Sequence, residues 1–261
     1  VHNVKGELSE GDEVTGSVDA ERRRGVSRAH SATHMLQRAL REVLGSHVEQ
    51  AGSLVGPDRL RFDFTHFSAL TPDELNRVED IVNNAALSGY DIVTTEMPID
   101  EAKKLGAMAL FGEKYGSVVR VVRMGDYSTE LCGGTHLTNT AKIGAFKIVS
   151  EVSAAAGVRR IEAVCGKAVT QIFRQVNDNL VKAAEVLKTS PAELTRRAMQ
   201  MMTELRQISH EKDQLTARLA SAKAVELFNF AQVQGDIKVI AAKVDIANMD
   251  EMRDLAAKVR D

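Results

Sequence analysis

A chain of 261 residues that is 44% hydrophobic and 27% charged, with a formal net charge of -2, has the make-up of an ordinary globular protein, long enough for two domains or one domain with an appendage. Near-neutral charge excludes a global pull toward polyanions, no apolar run reaches the length of a membrane span, no signal-peptide pattern opens the chain, and two cysteines, Cys132 and Cys165, cannot make a disulfide framework. These features predict a cytoplasmic protein in a reducing setting, with no membrane and no DNA partner. Any nucleic-acid contact must then come from local basic patches, Arg22, Arg23, Arg24 and Arg28 or Arg159 and Arg160. By charge alone, those patches read first as solvated surface.

Taken in order, residues 1–20 alternate weakly between turn signals at Gly6 and Gly11, which predicts a short β-ribbon too small to bury a core alone. Residues 27–44 carry Ala29, Met35, Leu36, Ala39, Leu40, Val43 and Leu44 near helical spacing, with Gly45 as a stop. In RLRFDFTHF, Leu60, Phe62 and Phe64 alternate with Arg61, Asp63 and Thr65, the pattern of a half-buried strand. Thr71 as N-cap, Pro72 at the first helical position and Glu74 three residues after the cap open a helix that runs to about residue 88. YDIVTTEMP, SVVRVVRM, AFKIVSEVS and RRIEAVC read as strands, and DEAKKLG as a short helix. The expectation is an α+β domain, a mixed or antiparallel sheet with helices, ending near Gly166, with Cys165 a buried small hydrophobe.

From residue 167 the strand pattern stops. Leu180, Leu187, Leu194, Met201, Ile208, Leu215 and Ala222 recur every seven residues, and Pro191 divides the run at a Ser190 to Glu193 capping box. Two helices with a heptad seam predict a coiled coil or a helical hairpin, either joining two copies or packing on the chain's own body. After Gly235, IKVIAAKV reads as a strand, and Asn248 begins a last helix. One strand and one helix cannot close a domain, so this end is expected to be the start of a truncated third domain.

Two histidines, His30 and His34, sit at i and i+4 in AHSATHML, so a helix turns both imidazoles to one side. Cys132 and His136 repeat that offset in STELCGGTH, where Gly133 and Gly134 let the backbone wrap. Two nitrogens from one segment and a sulfur and nitrogen from another make a set suited to tetrahedral zinc, one Zn2+ per chain. Either half alone would be weak; together they carry the assignment. A zinc protease helix needs glutamate after its first histidine, and that position is Ser31. Four protein donors normally make a closed, structural site, so catalysis would need a displaced ligand, an expanded shell or a metal that orients substrate. Near these motifs, Gln50 and Ser53 flank Ala51 and Gly52, and with Asp63 and Thr65 they read either as a polar pocket or as turn and surface chemistry.

The motifs SRAHSATHMLQRAL, HVEQAGSLV, RLRFDFTHF, GAMALFGEKYG, STELCGGTHLTNTAKIGAFKIVSE and GVRRIEAVCG, in that order, resemble the editing domain of bacterial alanyl-tRNA synthetases. Threonyl-tRNA synthetase editing domains and free-standing editing proteins share the two metal motifs, and the heptad segment in this position favours the alanyl enzymes. The resemblance implies four parts. Residues 1–20 would be the tail of a small β-barrel, residues 21–166 a zinc-dependent editing domain, residues 167–234 a helical segment, and residues 235–261 the start of a C-terminal globular domain. It implies hydrolysis of the ester of tRNA(Ala) mischarged with serine or glycine. His30, His34, Cys132 and His136 would be the zinc ligands, and Gln50 and Asp63 would act at the reacting group. Gln50, Ser53, Thr65, Gly133 and Gly134 would contact substrate, and Arg22, Arg23, Arg24, Arg159 and Arg160 would contact tRNA. ATP and Mg2+ belong to an aminoacylation region that the chain lacks, so it is expected to form no alanyl-tRNA. The alternatives are a structural-zinc module for tRNA binding and homodimerisation, and a free-standing editing protein.

Overall fold

The computed structural model describes residues 6, 7, 9–57, 59–108, 116–245 and 249–260. The chain divides into two compact units, Val1–Val176 and Asn177–Asp261. The first unit is α+β and carries every sequence-identified site residue.

Helix α1, Ala20–Leu44, begins seven residues earlier than the apolar spacing predicts. The cause is Asp19, whose carboxylate accepts from the amides of Glu21 and Arg22, both at 3.0 Å, and so satisfies two of the donors left open at a helix start. Among the described residues before it there is a turn at Glu10 and Gly11 and no strand. The expected β-ribbon is therefore not formed there: Val14 and Val18 are 70% and 63% exposed, with no neighbouring strand to pair with. Residues 1–5 and 8 of that expectation lie outside the described residues.

Strands β1 (Gln50–Val55), β2 (Arg59–Thr65), β6 (Phe146–Ala155) and β7 (Val158–Cys165) form an antiparallel sheet in the order β1-β2-β7-β6. Its inner face presents Leu60, Phe62, Phe64, Ile161 and Ala163, all at most 1% exposed, as the alternation in RLRFDFTHF predicts. Against this face lie Ala29, Ala32, Met35, Leu36, Ala39 and Leu40 of α1 and Val78 and Val82 of α2, Pro72–Leu87. Helix α2 starts as read: the Thr71 hydroxyl accepts from the Glu74 amide, and the Glu74 carboxylate accepts from the Thr71 amide at 2.8 Å. Each fully buried phenylalanine contributes about 1.5–3 kcal/mol of transfer free energy, so Phe62 and Phe64 anchor α1 on this sheet. Cys165 is fully buried, the small hydrophobe expected.

A second antiparallel sheet holds β3 (Ile92–Pro98), β4 (Val118–Met124) and β5 (Ser128–Leu131) in the order β3-β4-β5. Val122 and Met124 on one face of it join the same core as α1, while Val119, Val121 and Leu131 pack with Ala102 of the short helix α3, Ile99–Lys104. Helix α1 thus touches both sheets, and the metal motifs fall where it meets β5.

Helix α4, Lys167–Val186, leads into the second unit, which holds α5 (Leu194–Phe228). The capping box expected at Ser190 is not formed. Its side chain makes no cap hydrogen bond, and Pro191–Glu193 winds as a 3-10 turn before α5 begins. The heptad residues Leu205, Ile208, Leu215 and Leu219 are 57–63% exposed, so the seam is not buried within this chain. The expected strand over IKVIAAKV shortens to β9, Ile237–Val239, which pairs only with β8, Gln232–Gln234; a three-residue hairpin has too few partners to extend further. Helix α6, Met249–Arg260, follows and packs Leu255 toward α5; its expected cap, Asn248, lies outside the described residues. No helix among the described residues is long and apolar enough to cross a membrane.

One contact fixes how α1 lies against the β1–β2 turn. A Cβ on Gly25 would stand 2.2 Å from the carbonyl oxygen of Pro57. Alanine gains about 1 kcal/mol over glycine in a helix interior, but overpacking against backbone costs about 1–3 kcal/mol. Gly25→Ala is therefore expected to lower unfolding free energy in urea titration, and a gain in stability would show that the contact relaxes freely.

Candidate metal centre

The donor atoms of His30, His34, Cys132 and His136 all lie within 4.8 Å of one another. Helix α1 supplies the first two at i and i+4, and the segment after β5 supplies the others. The Cys132 Sγ is 3.5 Å from His30 Nε2 and 3.3 Å from His136 Nε2. A tetrahedral zinc with Zn–S of about 2.3 Å and Zn–N of about 2.0–2.1 Å has S···N edges of roughly 3.5 Å. The residues therefore fit the metal by donor type and by spacing.

Two of the three imidazoles are oriented from behind. His34 Nδ1 contacts the Glu130 carboxylate at 2.6 Å, which leaves Nε2 for the centre. Glu130 is 4% exposed, and the Ser128 hydroxyl donates to its other oxygen at 2.7 Å. His136 Nδ1 lies 3.2 Å from the Ser31 hydroxyl, which also accepts from the Leu137 amide at 3.2 Å, and again Nε2 faces the sulfur. A carboxylate or hydroxyl behind a ligating histidine fixes its tautomer and ring angle.

The two glycines differ in purpose. A Cβ on Gly134 would lie 2.0 Å from His30 Cε1, so only glycine admits the imidazole there. Gly133 has open space around the same position, and neither residue has a left-handed backbone. The requirement is thus close approach at Gly134, rather than the loosened turn expected of both.

Burial alone would strip His34 of its proton, but Glu130 and then Cys132 outweigh it and raise its pKa to about 10. Burial likewise favours a neutral Cys132 thiol, yet hydrogen bonds with His136, His30 and His34 outweigh that and bring it down to about 3. Burial lowers the pKa of His136. Metal ligation needs a thiolate and neutral imidazoles. The surroundings of Cys132 favour the thiolate form, while Glu130 favours the protonated form of His34.

The four polar residues expected to share a pocket do not share one surface. Directly opposed residues in an antiparallel pair lie on one face. Gln50 opposes Phe64 and Ser53 opposes Phe62, the face that α1 covers, whereas Asp63 opposes Gly52 on the other face. Asp63 is held there by Arg160, whose Nε and Nη2 donate to its two oxygens at 2.7 and 2.8 Å. Arg160 holds the Asp63 carboxyl below its usual range. The Thr65 hydroxyl is committed to the turn before β1, donating to the His47 carbonyl at 2.8 Å and accepting from the Glu49 amide at 2.9 Å. Gln50 and Ser53 meet each other at 3.3 Å on the edge strand. Of the expected tRNA-contacting residues, Arg159 pairs with the buried carboxylate of Glu151 and Arg160 with Asp63, while Arg22, Arg23 and Arg24 are exposed within the first five residues of α1.

Glu130, Ser128 and Ser31 were not singled out as partners by sequence reasoning. Strand alternation could have found the first two, since Ser128 and Glu130 stand four and two residues before Cys132. Ser31 entered only as the missing protease base; its contact with His136 spans 105 residues of sequence and has no local signature.

The family described as "Threonyl and Alanyl tRNA synthetase second additional domain" matches residues 119–162, which run from β4 through the metal loop to β7. The chain is also similar to the alanine–tRNA ligase of Listeria monocytogenes, 48% identical over 257 residues, covering 98% of this chain and 29% of the relative. With the alanine–tRNA ligase of Geobacillus thermodenitrificans it is 50% identical over 252 residues, 97% of this chain and 29% of the relative. With that of Desulfitobacterium hafniense it is 50% identical over 258 residues, 99% of this chain and 30% of the relative. The chain spans under a third of the length of these relatives, and over that span it belongs to the alanyl-tRNA synthetase family, in the region that carries the second additional domain.

Proposed function

We propose that this chain is an aminoacyl-tRNA deacylase that hydrolyses the ester of tRNA(Ala) mischarged with serine or glycine. The observation that carries the reading is the centre of His30, His34, Cys132 and His136, its outer partners already in place, in a chain of a tRNA ligase family. Ester hydrolysis requires a placed water and stabilisation of the developing oxyanion. Zinc, when bound by these four residues, would supply a Lewis acid able to hold the amino group or polarise a carbonyl or water. Glu130 and Ser31 hold His34 and His136 in register for that task. Gln50 and Ser53, on the α1 side of the edge strand, offer an amide and a hydroxyl to the serine hydroxyl, and a site built to bind a hydroxyl rejects the alanine analogue that lacks it. Asp63 has no part in this reading, because it stands on the opposite face of the sheet.

Arg22, Arg23 and Arg24 support a polyanionic partner. Cations near the positive end of a helix dipole do not stabilise the helix, so their clustering within the first five residues of α1 suits an outside ligand such as the tRNA backbone. The apolar seam of α5 is the surface through which two copies would associate. If it is, the sedimentation coefficient of the chain rises with concentration and Leu215→Glu abolishes the rise; a wild-type chain that sediments as a fixed monomer removes the dimer.

A second reading is favoured by one feature. Four protein donors complete a tetrahedron, as in structural zinc sites, which would make this a tRNA-binding module without catalysis. Single-turnover hydrolysis of seryl-tRNA(Ala) and alanyl-tRNA(Ala), with metal content measured on the same sample, separates the two. The proposal expects fast serine release, slow alanine release and about one zinc per chain. A folded, zinc-loaded chain that releases serine at the uncatalysed rate leaves the structural module standing. Glu130→Gln keeps the size of the group behind His34 and removes its charge, and a drop of about 10–100-fold in zinc affinity or serine release is expected. Unchanged values in both would remove Glu130 from the centre.

A further inference from the structure

Past the end of β5 the metal-binding loop has little regular structure, yet both its ligands arrive within contact of α1. What holds it comes from the neighbouring strand. Arg120, in the middle of β4, receives the Cys132 amide on its own carbonyl at 3.0 Å. Its guanidinium then reaches past the strand edge, and Nη1 donates to the Cys132 carbonyl at 3.0 Å and also to the Gly134 carbonyl. With both carbonyls turned to Arg120, the Gly134 amide turns the other way and points at the Cys132 sulfur, 3.4 Å from it. The same turn lays the bare α-carbon of Gly134 against His30.

We propose that Arg120 is a positioning residue of the metal centre: by holding the carbonyls of Cys132 and Gly134 on one guanidinium nitrogen, it sets the loop in its ligating geometry before metal arrives. The proposal rests on the reading of these four residues as a metal centre. Arginine suits the task because its planar fork fixes the direction of each donor; a lysine ammonium on a flexible stem would keep the charge and lose the geometry. The same clamp keeps the Gly134 amide directed at the Cys132 sulfur.

The test uses the full chain, stripped of metal and reloaded. Arg120→Lys and Arg120→Gln are compared with wild type, and with Arg123→Gln as a control. Arg123 lies on the same strand, but among the described residues its guanidinium bonds only its own turn, through Gly125 and Asp126. Zinc affinity is read by competition with a chromophoric chelator, site geometry by the visible absorption of the cobalt(II) form, and folding by thermal melting of the apo chain. The expectation is a loss of about 10–100-fold in zinc affinity and an altered cobalt spectrum for both Arg120 variants. Wild-type values are expected for Arg123→Gln, with apo melting little changed throughout. An Arg120→Lys chain with wild-type affinity and spectrum overturns the proposal, as does an equal loss in Arg123→Gln. Should the Arg120 variants fail to fold, hydrogen exchange on the apo wild type decides. A clamped loop protects the Gly134 amide before metal is added, and exchange at the free-peptide rate overturns the clamp. A wild-type chain that binds neither zinc nor cobalt refutes the metal centre itself and the clamp with it. Loss of serine release with metal affinity and spectrum intact in wild type refutes only the deacylase reading.

Discussion

Gathering one cysteine sulfur and three imidazoles within 4.8 Å of one another is the constraint around which the first unit is arranged. Such a group has no reason to assemble by hydrophobic packing, because partly buried polar rings lose hydration and gain nothing unless each finds a partner. The chain meets this demand with two rigid supports. A 25-residue helix carries two ligands, and the end of a strand carries the other two, so their separation depends on how that helix sits between the sheets. Phe62 and Phe64 beneath the helix and Met124 and Val122 beside it therefore help to bring the four donors together, though none approaches them in chemistry.

Around the donors lies a ring of partners that decides protonation. Glu130 raises the pKa of His34, and hydrogen bonds from the imidazoles lower that of Cys132. The two shifts run in opposite directions, the imidazole toward its charged form and the thiol toward its thiolate. A divalent cation held by His30, His34, Cys132 and His136 would require His34 as a neutral donor, with Glu130 still behind its ring. Ser31 does the corresponding work for His136 with a neutral hydroxyl, so two of the three imidazoles are held by side-chain partners of different charge.

The outer face of the larger sheet behaves differently. Asp63 and Arg160 form a bidentate pair there, and Arg59 pairs with Glu162 one step along the strands. These are satisfied charges on a partly solvated surface, and their strand neighbours Phe62, Phe64 and Ile161 point the opposite way into the core. Residues adjacent in sequence on β2 and β7 are thereby divided between structure on one side and display on the other.

Much of this was legible in the chain. The i, i+4 spacing of His30 and His34 and the four-residue offset of Cys132 and His136 are local patterns, as are the alternation of RLRFDFTHF and the Thr71 cap, and a sequence determines such things by itself because helix and strand periods are properties of the backbone. The start of α1 at Asp19 and the missing cap at Ser190 were misread because competing local hydrogen bonds differ little in energy. Which polar residues share the site was decided only in three dimensions. Strand pairing put Gln50 and Asp63 on opposite faces, and long-range contacts brought Glu130 to His34, Ser31 to His136 and Arg120 to the metal loop. A single residue's shift in register reverses the face of every side chain on a strand, and register is set by packing across the whole sheet. For that reason the four candidate donors could be read from the sequence, while the groups that hold them could be identified only once the sheets and α1 had met.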